Sequence, residues 1–72
     1  MERRFLSLAD VVETLSISMA QGYALVRSGD LPAIQVGPKK VWRIEAKELE
    51  AYIERMYAKS RERLKDPENQ DS

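Results

Sequence analysis

Two helix-start signals stand close together near the beginning of the chain, and between them they limit how long the first helix can be. Ser7 is followed three residues later by Asp10, and Ser18 is followed three residues later by Gln21. A serine in such a position accepts a hydrogen bond from one of the unpaired amides of the first helical turn. An acid or amide side chain at the third helical residue can reach back to the serine N–H. Leu6 before the first cap and Val11 after it are spaced as a hydrophobic staple. Leu8, Val11, Val12 and Leu15 recur at i, i+3, i+4 and i+7, the period of a helix with one apolar stripe. The pattern predicts a first helix over about residues 8–15, a short link at Ser16-Ile17, and a second helix over about residues 19–28 that stops at Gly29.

Beyond Gly29 the period changes. Leu31-Pro32-Ala33-Ile34-Gln35-Val36, then Gly37-Pro38-Lys39-Lys40, then Val41-Trp42-Arg43-Ile44 reads as strand, turn, strand. Ile34 and Val36 alternate with Gln35, and Trp42 and Ile44 alternate with Val41 and Arg43, so the apolar members are expected on an inward face. Pro38 presets the turn and puts two lysines at its tip. From about residue 46 to about 64 a third helix places Leu49, Ile53 and Met56 on one stripe with Tyr52 beside it. The fold class is therefore mainly α with a small β-hairpin, in the order helix, turn, helix, hairpin, helix. Two short helices on so short a link form the αα-hairpin found in helix-turn-helix proteins.

With 72 residues there is room for one domain, expected over residues 1–65. Residues 66–72 contain no apolar side chain and are expected to form a disordered acidic tail. Cysteine and histidine are both absent, so a disulfide framework and the usual zinc constellations are excluded, and no metal or cofactor is expected. No apolar run approaches the ~18 to 20 residues of a membrane span, and the first residues do not read as a signal peptide; the expectation is a cytoplasmic protein. The carboxylates Glu45, Glu48, Glu50, Glu54 and Glu62 read as helix-surface charges rather than convergent acids and bases, so an enzyme is not expected.

Twelve basic and twelve acidic residues cancel, which would argue against a polyanionic partner if they were evenly spread. They are not. The segment 39–43 holds Lys39, Lys40 and Arg43 with no acid, and residues 55–65 hold Arg55, Lys59, Arg61, Arg63 and Lys65 against Glu62 alone. Asp66, Glu68 and Asp71 fall in the tail, so residues 1–65 carry a net +3.

The residues Phe5-Leu6-Ser7, Ser18 with Tyr23-Ala24-Leu25-Val26-Arg27-Ser28-Gly29, Leu31-Pro32-Ala33, Val36-Gly37, Trp42-Arg43-Ile44 and Leu49-Glu50-Ala51-Tyr52-Ile53 form, at these spacings, a set that resembles the excisionase-type helix-turn-helix family, a branch of the MerR-like winged domains. The resemblance covers about residues 5–53. It implies a winged helix-turn-helix whose second helix enters the major groove of double-stranded DNA, whose hairpin is a wing on the phosphate backbone, and which needs no cofactor. Two departures stand out. Gln21-Gly22 replaces the Thr-Val common before the tyrosine, and Val41 stands where a basic residue is common in the wing. Gly22 falls in the core-facing row with Leu25 and Val26, where it costs the helix ~1 kcal/mol against alanine. Either it lets the first helix approach closely or it marks a weakened domain that needs a partner.

The candidate DNA-binding residues are Ser18, Met19, Ala20, Gln21, Tyr23, Arg27, Lys39, Lys40 and Arg43. Arg27 suits a phosphate or a guanine edge, Tyr23 a phosphate, and Met19 and Ala20 a thymine methyl, or else these residues form a solvated helix face. Gln21 suits adenine, or else its capping box alone; the lysines suit phosphates, or else protect a sheet edge from aggregation. Trp42 suits the core, since it shares a face with Ile44, or else stacks on bases. The basic run at 55–65 suits either the helix C-terminus or a further contact. The function expected is sequence-specific DNA binding by a small bacterial or phage-type regulator, acting in transcription or as an excisionase-like architectural factor. A recombinase or another protein is a further candidate partner. Further copies of the chain on direct repeats are also expected, monomeric in solution, with Arg55, Tyr57 and Lys59 near the contact. The alternative is a protein-interaction module that docks through its third helix without binding DNA.

Overall fold

The computed structural model describes residues 3–65, and the tail expected over residues 66–72 lies outside the described residues. Its elements run β1 (Phe5–Ser7), α1 (Leu8–Leu15), α2 (Met19–Ser28), β2 (Ile34–Val36), β3 (Val41–Glu45) and α3 (Ala46–Lys65). Three helices thus surround a small antiparallel sheet of order β1-β3-β2.

Both capping boxes form. Ser7 Oγ accepts from the Asp10 amide at 3.0 Å while Asp10 Oδ2 accepts from the Ser7 amide at 3.3 Å. Ser18 Oγ accepts from the Gln21 amide at 3.1 Å while Gln21 Oε1 accepts from the Ser18 amide at 3.0 Å. These reciprocal bonds satisfy orphan amides at both helix starts. The two helices end differently. Gly29 closes α2 at φ +86° without steric cost, whereas Ser16 closes α1 at φ +56°, a left-handed conformation unusual for a residue with a Cβ. Ser16 is held there because its amide donates to Glu13 O and the next amide, that of Ile17, donates to Val12 O at 3.0 Å, while Ile17 packs against the core.

The core is Leu8, Val11 and Val12 of α1, Val26 of α2, Leu31 of the following loop, Ile44 of β3 and Leu49 of α3. Tyr52 and Ile53 pack against it from α3 as the periodicity predicts. Gly22 is buried at the α1–α2 crossing, where a Cβ would overlap Val12 Cγ1 and come within 3.3 Å of Leu8 Cδ1. Valine is stiff at χ1, so the neighbour has no easy retreat. The close-approach reading of Gly22 is therefore the one the packing supports.

The sheet corrects two expectations. The sequence pattern marks Phe5–Ser7 only as a lead into α1, yet the segment pairs with β3 as a third strand, Leu6 opposite Ile44. A strand of three residues has too little alternation to be seen as one. The second correction concerns the hairpin face. Ile34 stands opposite Arg43, Gln35 opposite Trp42 and Val36 opposite Val41. Directly opposed residues share a face. Hence Gln35 lies on the inward face with Trp42 and Ile44, and Ile34 and Val36 lie outward with Val41, Arg43 and Phe5. All three residues of β2 are exposed. The apolar part of the hairpin's inward row comes from β3 alone, because the four-residue connection sets a parity that alternation within each strand does not reveal.

Candidate nucleic-acid interface

On α2, each residue turns ~100° about the axis from the last. With Gly22 and Val26 facing the core, Ala20, Ala24 and Arg27 point away from it, while Tyr23 and Gln21 project from opposite flanks. Met19, Ala20, Gln21, Tyr23, Ala24 and Arg27 are all exposed. The Arg27 guanidinium sits 5.6 Å from the Tyr23 ring centre. That contact steadies a long cation beside a phenol, so a donor and a positive charge are offered together.

The hairpin tip is built on two left-handed residues, Gly37 at φ +77° and Lys40 at φ +53°. The Lys40 amide donates to Gly37 O at 3.0 Å, closing a turn with Pro38 and Lys39 at its centre, and Gln35 Nε2 donates to Lys40 O at 3.3 Å. Lysine has no conformational reason to sit at a left-handed position, which costs a non-glycine residue ~1 kcal/mol or more. Lys39 and Lys40 are exposed, and neither belongs to the ion pair found among the described residues, Arg3 Nε to Glu45 Oε2 at 3.4 Å.

An open groove joins these parts. Tyr23 of α2, Lys39 and Lys40 of the tip, Val41, Trp42 and Arg43 of β3, and Ser7, Leu8 and Ala9 at the start of α1 all line it. Tyr23, Lys39, Lys40 and Arg43 are thus brought together from the expected set. Met19, Ala20, Gln21 and Arg27 lie on the rest of the α2 surface. Ser18 is at the first residue before α2 with its hydroxyl engaged in the capping box. Arg43 differs from the two lysines: it is half-buried on the outward sheet face, and its Nη1 donates to Trp42 O at 2.8 Å. Trp42 is half-buried and packs against the core, in keeping with its alternation with Arg43.

Nothing in the sequence pattern points to Ser7 and Ala9 as lining residues. The capping box locates the start of α1 but not its neighbours, because that depends on how the sheet docks. Arg55, expected near a contact between copies, is engaged within the chain. Its Nη2 donates to Asp30 O at 2.9 Å, and the guanidinium lies 5.7 Å from the Tyr52 ring centre. It ties α3 to the loop after α2. Tyr57 and Lys59 remain exposed on α3. Among the described residues no helix is long and apolar enough to cross a membrane, and no group of acids is placed to hold a metal ion.

A tight pair of capped helices, a surface helix with small and polar residues outward, and a lysine-tipped hairpin beside it define a small helix-turn-helix domain. A family model described as a helix-turn-helix domain, of the excisionase type, matches residues 5–57, and the chain belongs to that family. Membership points to binding of double-stranded DNA. No match was found among curated proteins or among solved structures.

Proposed function

We propose that the chain is a sequence-specific DNA-binding protein, a transcriptional regulator or an excisionase-like architectural factor without catalytic activity. In this reading α2 enters the major groove and the β2–β3 hairpin acts as a wing along the phosphate backbone. The observation that carries it is the groove in which Tyr23 of α2 and Lys39 and Lys40 of the tip share one open surface. Cations at a hairpin tip gain by displacing the counterions condensed on a duplex, and a phenol hydroxyl beside them can donate to a phosphate. Arg27 and the first turn of α2 are left to meet base edges.

The test is a salt series on duplex DNA. Binding by wild type falls steeply with log salt, and the double substitution Lys39→Ala with Lys40→Ala weakens binding to all sequences about equally and lowers the slope by about one unit per lost phosphate contact. Unchanged affinity and slope would remove the wing from the interface. A single module of this size contacts little DNA, ~600 to 1,000 Å², so side-by-side binding on direct repeats through Tyr57 and Lys59 completes the proposal.

One observation favours a second reading, docking of a protein partner. Leu15, Tyr52, Ile53, Met56 and Tyr57 line an apolar depression between α1 and α3, and Tyr57 is 61% exposed. Apolar docking there is insensitive to salt, so the same titration separates the two readings.

A further inference from the structure

We infer that Gln21 reads its base pair as a hydrogen-bond donor alone and therefore selects guanine, not the adenine that a glutamine ordinarily prefers. This rests on the proposal that α2 lies in the major groove. The Ser18 backbone N–H can only donate, so the amide atom 3.0 Å from it must be the acceptor Oε1 of Gln21. The same oxygen lies 3.3 Å from Ser18 Oγ, which meanwhile accepts from the Gln21 amide at 3.1 Å. The orientation of the side-chain amide is thus fixed by chemistry. Its oxygen is held by Ser18, the capping residue before α2, and its Nε2, with two hydrogens, is the amide atom left outside the box on an exposed side chain.

A glutamine with both ends available pairs bidentately with adenine, donating to N7 and accepting from the N6 amine. With the oxygen engaged, adenine offers Nε2 one acceptor and sets an amine against an amine. Guanine presents N7 and O6, two neighbouring acceptors that suit the two hydrogens of a single amine. Thymine has the single acceptor O4, and cytosine shows only a donor. Releasing the oxygen to restore adenine pairing would strip the Ser18 N–H of its partner inside an interface from which water is displaced.

The experiment selects sites from randomised duplexes with the intact chain, wild type and two variants, and melts each protein. Gln21→Glu keeps an acceptor for Ser18 and loses the amine; a carboxylate at that position also suits the helix start, so it melts no more than about 2 °C below wild type. Gln21→Met has similar length, no donor and no added charge, and separates loss of the amine from repulsion of phosphate. The expected result is one position at which wild type prefers guanine over adenine by about fivefold or more, a preference that both variants lose while the rest of the site is kept. Adenine, or any base other than guanine, at the position sensitive to Gln21 overturns the inference. So does a selected site that neither variant alters, which leaves Gln21 a capping residue only and the DNA-binding proposal intact. Failure of wild type to retain any duplex, even at low salt, removes both.

Discussion

The α1–α2 corner and the β2–β3 hairpin are built from equally short elements, yet they are held in opposite ways. In the corner, each helix start is closed by a serine and a side chain three residues away, and the two helices meet across Gly22 with Leu8 and Val12 against it. The hairpin has one buried residue, Ile44, on one of its two strands, while its tip holds a strained lysine and its outward face carries Ile34, Val36 and Val41. Stability is concentrated in the corner. The hairpin is placed by pairing with β1 and by a few inward side chains, which leaves most of its surface available for contact.

The largest expected effect follows from the corner's tightness. Gly22→Ala should stabilise an isolated helix by ~1 kcal/mol, since alanine has the higher propensity. In the folded chain the new Cβ overlaps Val12 Cγ1 and crowds Leu8, and overpacking of this kind costs ~1 to 3 kcal/mol. We expect the packing cost to win, because the overlap is with a stiff valine, with net destabilisation of up to ~2 kcal/mol by urea denaturation. A neutral or stabilised variant would mean that the corner is as adaptable as the hairpin.

The hairpin should respond in the other direction at its tip. Lys40→Gly removes the penalty of a left-handed lysine but adds chain entropy to the unfolded state, for a net gain of ~0.5 kcal/mol. The same change removes a cation from the groove, so the proposed DNA contact weakens as the protein becomes more stable. Melting temperature and duplex affinity, measured on one preparation, should therefore move in opposite senses. If both rise, Lys40 is not part of the interface. A residue kept at a backbone cost is most simply kept for its side chain.

Legibility follows the same division. Ser7 with Asp10, Ser18 with Gln21, and Gly29 state the limits of α1 and α2 within a few residues of each other, and the helices fall at the residues expected. The stripe of Leu49, Ile53 and Met56 likewise marks α3. What escapes a sequence reading is information carried across the chain. Phe5–Ser7 becomes a strand only because β3, far along the chain, provides a partner. The burial of Trp42 can be read from its own strand, but the exposure of Ile34 depends on its register with Arg43. Of the site, the lysine tip and the exposed α2 residues are visible as types in a pattern. The groove shared with Ser7 and Ala9 is not; the capping engagement of Gln21 with Ser18 is legible from their spacing, and the structure adds the 3.3 Å approach of Ser18 Oγ to the same amide oxygen.

The smallest expected effect is that of Ile34→Val, which is set against Ile44→Val to test the hairpin's two faces with one chemical change. Ile34 is 50% exposed and Ile44 is fully buried, and both are strand isoleucines, so replacing each with valine removes one methylene without altering β-branching. Ile44→Val should cost ~0.5 to 1.5 kcal/mol, as a methylene lost from a packed core does. Ile34→Val should stay within ~0.5 kcal/mol of wild type, since the lost group already meets water. Denaturation at two protein concentrations makes the comparison sharper. A monomer gives values independent of concentration and a clear gap between the two variants. If Ile34→Val is as costly as Ile44→Val and its cost grows with protein concentration, the outward face is covered by another copy in solution. The expectation of a monomer that assembles only along DNA would then fail, and the apolar residues of β2 would owe their presence to that contact.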